Sequence, residues 1–311
     1  MKESCLTFAP LYVPRMWGGR DLATLFQRKL PSAQLIGESW ELVDRVDAQS
    51  VVEHGPWQGR TLHQLWEDHR EEVFGTGLTG PRFPLLIKIL DASDVLSVQV
   101  HPPVTAAATL GGECKTEVWY FVSVKPGASV FAGLKRGTTP ETFQRALTDG
   151  MVASLMHRLE SRPDEFIFIP SGRVHAIDAG NVLFEIQQNS DTTYRVFDWD
   201  RVDPNGNARQ LHLRESLACI DFGDFEPELG RRQGELLVQC EYFKVQRWAV
   251  AGRRPAEPDG RFAVFQVVRG GVRVDDRTFR PGDLFLVPAS ATAATLQAVE
   301  GEALVLRTSL D

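Results

Sequence analysis

The chain has 311 residues, 43% hydrophobic and 24% charged, an ordinary balance for a soluble globular protein that is long enough for two cores. Its net charge of −7 argues against a nucleic-acid or anionic-membrane partner, because both require clustered positive charge. No run approaches the roughly 18 apolar residues of a spanning helix, and Pro and Arg interrupt the N-terminal segment where a secretory signal would be apolar. We therefore expect a cytoplasmic protein with no membrane partner and with its four scattered cysteines reduced.

Hydrophobic periodicity and turn residues divide the first half of the chain into short elements. The patterns predict a strand over 36–44, a helix over 60–75, two strands within 83–103, a strand over 116–124 and a helical segment over 139–160. The helical segment begins with Thr-Pro-Glu, which is typical of a capped N-terminus.

Strand patterns return over 165–170 and 181–189, and they continue beyond an Arg-rich linker at 223–235. Many short strands separated by Gly and Pro are typical of a jelly-roll sandwich or barrel. We place a catalytic domain at 1–230 and a C-terminal jelly roll at 231–311.

The two halves share one short sequence segment, here called the repeated phrase, which indicates a weak internal repeat. PDEFIFIPSGRVH (163–175) and PGDLFLVPASATA (281–293) both contain two prolines seven residues apart around an apolar run. Where the first copy has His175 the second has Ala293, and no histidine follows His212. Any chemistry is therefore expected in the first half.

Four residues of the first half form a candidate metal site: Gln99, His101, Glu117 and His175. Gln99 and His101 are two apart on a predicted strand and share a face. Glu117 is predicted in the middle of an apolar strand, where an ionised carboxylate is costly unless it is paired or metal-bound. The turn PSGRVH delivers His175 in a P-x-G-x-x-H pattern like that of cupins. Two imidazoles, a carboxylate and an amide suit a zinc-like ion, although a single buried His is more often a core residue and a single Glu can face solvent.

Two cations lie near this set. Lys115 is two residues from Glu117 and is expected on the same face, followed by Trp119, while Arg195 lies in the polar segment 187–201. Next to a metal site they suit an anionic substrate such as a sugar phosphate, but Lys115 can also be a solvated strand end and Arg195 a surface partner of Asp198 or Asp200. Glu185, Gln187 and Asn189 alternate along their strand and can line one wall. No Walker or Rossmann glycine pattern is present.

With these residues in place, the chain resembles the type I mannose-6-phosphate isomerases, in their shorter bacterial form. The resemblance rests on six segments: the Trp-Gly-Gly at 17–19, GESWE at 37–41, LLIKILDASDVLSVQVHP at 85–102, KTEVWYF at 115–121, IPSGRVHAI at 169–177 and EIQQNSDTTYRVFDWDR at 185–201. It implies two jelly-roll domains with a small helical insertion, and one Zn²⁺ per chain bound by Gln99, His101, Glu117 and His175. It also implies active-site roles for Lys115 and Arg195. Cys114 departs from the pattern, because a Gly commonly precedes the Lys-Thr-Glu.

The resemblance implies an enzyme that interconverts mannose 6-phosphate and fructose 6-phosphate through a cis-enediol. We expect Arg195 to stabilise the enediolate, a metal-bound water or Lys115 to act as the base, and Lys115, Glu185 and Trp17 to contact the substrate. Two alternatives stay open: another metal-dependent cupin enzyme, such as a different sugar-phosphate isomerase or a dioxygenase, and a non-catalytic sugar-binding cupin. We expect a monomer or a weak homodimer.

Overall fold

The computed structural model describes residues 4–31, 33–55, 57–202, 205–256, 260–291 and 293–310, and it is built mainly of β-strands. The strands in chain order are β1 (Leu11–Gly19), β2 (Ile36–Leu42), β3 (Asp44–Arg45), β4 (Ala48–Gln49), β5 (Leu85–Ala92), β6 (Val98–Val100), β7 (Glu117–Val124), β8 (Ser129–Leu134), β9 (Met156–Glu160), β10 (Phe166–Ile169), β11 (His175–Ile177), β12 (Asn181–Gln188), β13 (Tyr194–Phe197), β14 (Leu236–Gln239), β15 (Lys244–Pro255), β16 (Ala263–Arg269), β17 (Val272–Val274), β18 (Arg277–Phe279), β19 (Leu284–Val287) and β20 (Thr295–Ser309). The helices are α1 (Asp21–Phe26), α2 (Leu62–Asp68), α3 (Arg70–Phe74), α4 (Val104–Leu110), α5 (Pro140–Thr148), α6 (Val152–Leu155) and α7 (Leu213–Cys219). Within the described ranges, no helix is long and apolar enough to cross a lipid bilayer.

Two antiparallel sheets form a sandwich in the first part of the chain. Among the described residues one sheet has six strands in the order β1-β2-β5-β12-β7-β10, and the other has five in the order β13-β6-β11-β8-β9. Trp119 and Leu183 of the larger sheet share one core with Ala132 and Ile177 of the smaller sheet. The two inner faces therefore enclose a common interior, and this sandwich holds the candidate site.

The outer face of the larger sheet is covered as well, which explains its nearly continuous apolar strands. Ile87 of β5 and Phe184 of β12 belong to a second core together with Trp66 of α2 and Phe74 of α3. A strand that is buried on both faces has no solvent side on which polar residues would alternate. This is why a charged residue within β5 or at the start of β7 stands out in the sequence.

Helix α5 begins as predicted, but the helical segment is shorter than predicted. Thr139 caps α5: its hydroxyl accepts from the Thr142 amide at 3.2 Å, and Pro140 occupies the first turn. The predicted helical segment 139–160 is helical in α5 and α6, whereas residues 156–160 form β9, so this last part of the prediction is wrong. The five residues pair antiparallel with the edge of β8, and this tertiary pairing outweighs their intrinsic helix propensity.

The C-terminal part forms a third sheet with its own interior. Its order within the described residues is β14-β15-β20-β16-β19, with β17 pairing to β18 and β20. One face encloses a core that includes Trp248, Phe265 and Phe285. The other face contributes Leu286 and Leu306 to the core around α2 and α3. The predicted boundary at residues 230/231 lies before β14 and stays a proposal.

The two copies of the repeated phrase have the same local structure. Each has a turn, a four-residue strand (β10 or β19) and a second turn. In the first copy the chain continues into β11, which starts with His175. In the second copy Thr292 lies outside the described residues. The fold of the phrase therefore does not depend on the histidine.

Candidate metal centre and active site

Three of the four predicted ligands lie on the smaller sheet or directly after one of its strands. Gln99 is the middle residue of β6, His101 follows that strand, and His175 starts β11. In the antiparallel ladder His175 is paired with Gln99, and on the other side of β6 Arg195 is paired with Gln99. Directly paired residues project to the same face, so the side chains of Arg195, Gln99 and His175 are neighbours across three strands.

The turn before β11 is tied to the strand end after β6. Gly172 has φ +92°, a left-handed conformation that favours glycine. Its amide donates to the carbonyl of His101 at 2.9 Å. The P-x-G-x-x-H pattern is therefore the local means of bringing His175 next to His101, and their ring centroids are 4.7 Å apart.

Glu117 enters the same space from the larger sheet, at the first position of β7. Its Oε2 is 3.6 Å from Nε2 of His101, and its Oε1 is 3.5 Å from Nε2 of His175. The three donor atoms all lie within 4.8 Å of one another, and all three residues are buried. Two ligands about 2.1 Å from one tetrahedral zinc ion are about 3.4 Å apart, so this spacing fits one ion.

Backbone carbonyls fix the tautomer of both imidazoles. Nδ1 of His101 lies 2.9 Å from the carbonyl oxygen of Thr192, and Nδ1 of His175 lies 2.8 Å from that of Arg173. A carbonyl oxygen can only accept, so each Nδ1 carries the proton and each Nε2 keeps its lone pair for the centre. Metal-ligating histidines usually have such an outer hydrogen bond.

Two donor atoms of the centre are buried and lack a hydrogen-bond partner. Oε1 of Glu117 and Nε2 of His175 are buried without a hydrogen-bond partner in the described part of the chain, and Oε2 of Glu117 has Lys115 as its ion-pair partner. Burial lowers the pKa of His175 to about 3, with the neighbouring His101 as the second cause. Burial also lowers the pKa of His101. Burial opposes ionisation of Glu117, but Lys115 and His101 hold the pKa of this carboxyl well below its usual range. Deprotonated N and O donors, two of them without a hydrogen-bond partner, are the chemistry that a divalent cation requires, so these residues fit a metal ion.

Lys115 lies directly against the donor set. Its Nζ is 2.9 Å from Oε2 of Glu117 and 3.3 Å from Nε2 of His101. Burial opposes the charge of this amine, but Glu117 and Glu185 raise its pKa above the ordinary value. The predicted common face of Lys115, Glu117 and Trp119 is present. The Trp119 ring lies edge-on to the His175 ring, with 5.3 Å between the ring centroids.

A cavity of about 570 Å³ opens beside the centre. Its walls are formed by Pro14, Arg15, Met16, Trp17, Glu38, Lys88, Leu90, Leu96, Ser97, Gln99, Lys115, Glu185, Asp191, Thr193, Arg195 and Arg209. Gln99 and Lys115 connect the cavity to the donor set. The opposite face of β6 packs into a separate core through Val98 and Val100, as the alternation along the strand requires.

The predicted substrate residues all line this cavity, but they have different partners. Trp17 is buried in the sandwich core. Glu185 accepts from Nε1 of Trp119 at 3.1 Å and forms an ion pair with Lys88 at 3.2 Å, while burial raises the pKa of Glu185. Nη1 of Arg195 donates to the carbonyl of Gln210 at 2.9 Å, and its Nε is buried without a partner among the described residues.

The wall that was expected from alternation along β12 is only partly present. Glu185 lines the cavity, whereas the amide nitrogen of Gln187 donates to the carbonyl of Ser190 at 2.6 Å. Asn189 donates to the carbonyls of Asp44 and Phe83, both at 2.7 Å. Gln187 therefore braces the turn that follows β12, whereas Asn189 ties the end of β12 to β3 and to the residues before β5, and neither lines the cavity.

Five charged residues of the cavity were missed by the sequence analysis: Arg15, Glu38, Lys88, Asp191 and Arg209. Lys88 gave a usable signal, because it is a cation in the middle of a buried apolar strand, as Glu117 is an anion at the start of one. Lys88 lies between Glu38 at 3.7 Å and Glu185 at 3.2 Å. Burial opposes ionisation of Glu38, but Lys88 and Arg15 lower its pKa to about 2.

Comparison with known proteins identifies the family. Mannose-6-phosphate isomerase ManA of Bacillus subtilis is 39% identical over 302 residues, 93% of this chain and 94% of the relative. Mannose-6-phosphate isomerase of Streptococcus mutans is 34% identical over 285 residues, 88% and 89% of the two chains. Residues 6–117 match the model of the phosphomannose isomerase type I catalytic domain, and residues 234–308 match the mannose-6-phosphate isomerase cupin domain. The chain belongs to the type I mannose-6-phosphate isomerase family.

Solved structures agree with this assignment. The crystal structure of the mannose 6-phosphate isomerase from Bacillus subtilis superposes with a TM-score of 0.88 at 31% identity, covering 99% of this chain and 100% of that one. A mannose 6-phosphate isomerase described as bound with zinc and yttrium shares the fold, with a TM-score of 0.73 at 15% identity over 99% and 100% of the two chains. The predictions of the family, of a mainly β fold and of an isomerase acting on a small sugar phosphate are confirmed.

Proposed function

We propose that the chain interconverts mannose 6-phosphate and fructose 6-phosphate through a cis-enediol, with one Zn²⁺ held by Gln99, His101, Glu117 and His175. The observation that carries the proposal is the buried donor cluster of His101, Glu117 and His175 at the end of a charged cavity. Within it, Oε1 of Glu117 and Nε2 of His175 have no hydrogen-bond partner among the described residues. Gln99 joins the set because it is paired with His175 in the ladder and lines the cavity.

Zinc is supported by the donor types, since imidazole and carboxylate ligands at this spacing suit a tetrahedral ion. The zinc-bound isomerase with the same fold supports the same choice. When bound, the ion polarises the substrate oxygens on carbons 1 and 2.

The isomerisation moves hydrogen without any outside oxidant. A base removes the proton from carbon 2 of the open-chain aldose, and a proton is returned at carbon 1. The hydroxyl proton on O2 is lost as the carbonyl forms there, and O1 gains one. The protein must therefore hold a proton next to two adjacent carbons and stabilise negative charge on their oxygens.

Lys115 and Arg195 are placed for these two tasks. Nζ of Lys115 faces the cavity 3.3 Å from Nε2 of His101, so it holds its protons where the reacting end of the substrate must lie. Arg195 flanks Gln99 on the other side and keeps a permanent positive charge, which stabilises the enediolate but cannot accept a proton. Trp17 and Glu185 form the adjoining walls and contact the sugar.

A coupled assay tests the function directly. Purified protein should form fructose 6-phosphate from mannose 6-phosphate, and a chelator should abolish the turnover until Zn²⁺ is restored. Elemental analysis should find close to one zinc per chain. Absence of product, or full activity in a metal-free preparation, would contradict the proposal.

Three expectations accompany the proposed function: a monomer or weak homodimer, a cytoplasmic location, and no nucleic-acid or membrane partner. Sedimentation measures the first, and cell fractionation measures the second. Binding of the protein to nucleic acid or to anionic vesicles, measured by gel shift or by co-sedimentation, would overturn the third.

A further inference from the structure

The wall of the cavity beside the metal centre has more cationic than anionic residues. Five of its described wall residues are cationic, namely Arg15, Lys88, Lys115, Arg195 and Arg209, against the three carboxylates Glu38, Glu185 and Asp191. Two further carboxylates outside the wall, Glu117 and Asp198, form ion pairs with Lys115 and Arg209, so the charges balance. A phosphate monoester, which carries a charge of about −2 at pH 7, would therefore bind the N–H donors that these ion pairs leave free.

The buried cations of the cavity already form ion pairs with carboxylates of the protein. Lys88 lies between Glu38 and Glu185, and Lys115 is paired with Glu117. Both amines are nearly inaccessible to solvent, at 5% and 6% side-chain exposure. They form the closed end of the cavity, where the metal ligands lie.

The partly exposed end of the cavity is formed by arginines. Arg15 on β1 has 34% of its side chain exposed, and Arg209, in the segment between β13 and α7, has 26% exposed. They come from the two sides of the cavity, since β1 is in the larger sheet and β13 in the smaller. Arg15 and Arg209 line the same cavity as Arg195. Burial lowers the pKa of Arg195, and the charges of Arg209 and Arg15 lower it further.

Arg15 and Arg209 each keep free donor groups after their ion pairs are counted. Arg15 uses Nε for Glu38 at 2.6 Å, and Arg209 uses Nε and Nη2 for Asp198. Both Nη groups of Arg15 and Nη1 of Arg209 have no protein partner within the described ranges. The carboxylates hold the guanidinium groups in fixed positions, which a site that binds a phosphate group needs.

Arg201, in the same segment, uses all three of its side-chain nitrogen atoms in hydrogen bonds within the protein. Its Nε donates to the carbonyl of Asp198 at 3.3 Å, its Nη1 to the carbonyl of Val95 at 2.5 Å, and its Nη2 to the carboxylate of Asp198 at 2.6 Å. It does not line the cavity. It shares Asp198 with Arg209 but offers no remaining nitrogen to a ligand.

From this contrast we infer that Arg15 and Arg209 bind the phosphate group of the substrate at the open end of the cavity. The assignment rests on the proposed function for the identity of the sugar, but its recognition chemistry is that of any phosphate monoester. Arginine pairs of this kind bind phosphate oxygens through several N–H donors at once. The reacting carbons then lie toward Lys115 and the metal ligands, and the phosphate sets the orientation in which they enter.

The test uses the zinc-loaded protein and the variants Arg209→Gln, Arg15→Gln and Arg209→Lys, with Arg201→Gln as the matched control. Calorimetric titration measures the Kd for mannose 6-phosphate and for inorganic phosphate, and the coupled assay measures KM and kcat. Circular dichroism and melting temperature verify that each variant is folded. Arg209→Lys keeps the charge and guards against loss of the segment's structure.

We expect Arg209→Gln and Arg15→Gln each to raise the Kd and KM for mannose 6-phosphate at least tenfold while kcat changes less than threefold. The affinity for inorganic phosphate should fall in parallel, Arg209→Lys should recover part of the loss, and Arg201→Gln should stay within twofold of wild type. Unchanged affinities in both Gln variants overturn the inference, and so does an equal loss in Arg201→Gln.

The same experiment separates this inference from the proposed function. If wild type turns over mannose 6-phosphate and the Gln variants keep their KM, the function stands and the phosphate assignment is wrong. If wild type binds the sugar phosphate in a manner that depends on Arg15 and Arg209 but forms no fructose 6-phosphate, the phosphate assignment stands and the function is wrong.

Discussion

His175 and Gln99 are directly paired across the antiparallel ladder between β11 and β6. This pairing places the side chain of Gln99 beside that of His175, whose Nε2 is buried without a hydrogen-bond partner in the described structure. An amide is a weaker ligand than an imidazole, but its position is set by the backbone of both strands. The ladder therefore supports the proposed place of Gln99 in the metal centre, which its side-chain chemistry alone does not.

Replacement of Gln99 tests that place. We expect Gln99→Leu to lower zinc affinity about tenfold or more, because an oxygen donor is replaced by an apolar group of similar size. Gln99→Glu keeps an oxygen donor and should retain the metal. Competition with a chromophoric chelator measures both affinities. Equal zinc affinity in Gln99→Leu and wild type would remove Gln99 from the ligand set.

Loss of a histidine ligand should remove metal and turnover together. We expect His101→Ala to lose stoichiometric zinc, since this imidazole supplies one of the three clustered donor atoms. His157→Ala on β9 is the matched control, because His157 lies outside the cluster and the cavity. Zinc content and turnover are measured on the same preparations. A His101→Ala protein with full zinc content would contradict the assignment.

Arg195 should affect the reaction and not the metal. We expect Arg195→Ala to keep one zinc per chain and to lower kcat at least about a hundredfold, or about 2.7 kcal/mol of transition-state stabilisation. Arg195→Lys should recover part of this loss because the charge is kept. An Arg195→Ala enzyme with nearly wild-type kcat would show that the enediolate is stabilised by other groups.

Glu38 should make stability depend on pH in the acid range. Its pKa is lowered from 4.5 to about 2, because the charges of Lys88 and Arg15 favour the ionised carboxylate more than burial opposes it. A lowered pKa stabilises the folded state fully above pH 4.5, and this contribution, on the order of 3 kcal/mol, is lost as the pH falls toward 2.

The measurement compares the free energy of unfolding of wild type and Glu38→Gln between pH 2 and 7. We expect the wild-type advantage to be largest above pH 4.5 and to shrink toward pH 2. Glu300→Gln, at an exposed carboxylate of β20, should differ from wild type by a small amount at every pH. A difference between wild type and Glu38→Gln that stays constant over this range would exclude the ion pairs as its cause.

The C-terminal sheet should be required for folding of the catalytic part. Leu286, Leu304 and Leu306 pack into the same core as Trp66 and Phe74. A fragment of residues 1–230 would expose that core to water, so we expect it to aggregate or to bind a hydrophobic dye without cooperative unfolding. A fragment that melts cooperatively with a native spectrum would show that the predicted boundary separates two independent folding units.

Local sequence signals predicted the elements and donors that depend on local rules. Glu117 was found because a carboxylate beside an apolar run is costly, and the cap at Thr139 because its pattern is specific. Residues 156–160 were mistaken for helix because pairing with β8 is a tertiary contact that the segment itself does not encode.

The rest of the cavity depends on how distant segments meet. Arg15 and Arg209 are 194 positions apart and stand in surroundings that resemble any polar surface. Only the stacking of the two sheets and the course of the chain after β13 bring them to one cavity. A single sequence carries no signal for that meeting, whereas it does carry one for Lys88 in the middle of β5.

Of the four proposed ligands, Glu117 alone comes from the larger sheet. The alignment of the two sheets is therefore part of the definition of the centre, and their separation is set by the shared core around Trp119 and Leu183. A conservative substitution in that core can shift one sheet against the other by a fraction of an ångström and still leave a folded protein. Selection for metal binding would thus act on apolar positions that touch neither metal nor sugar, and catalysis would constrain the sandwich more tightly than stability does.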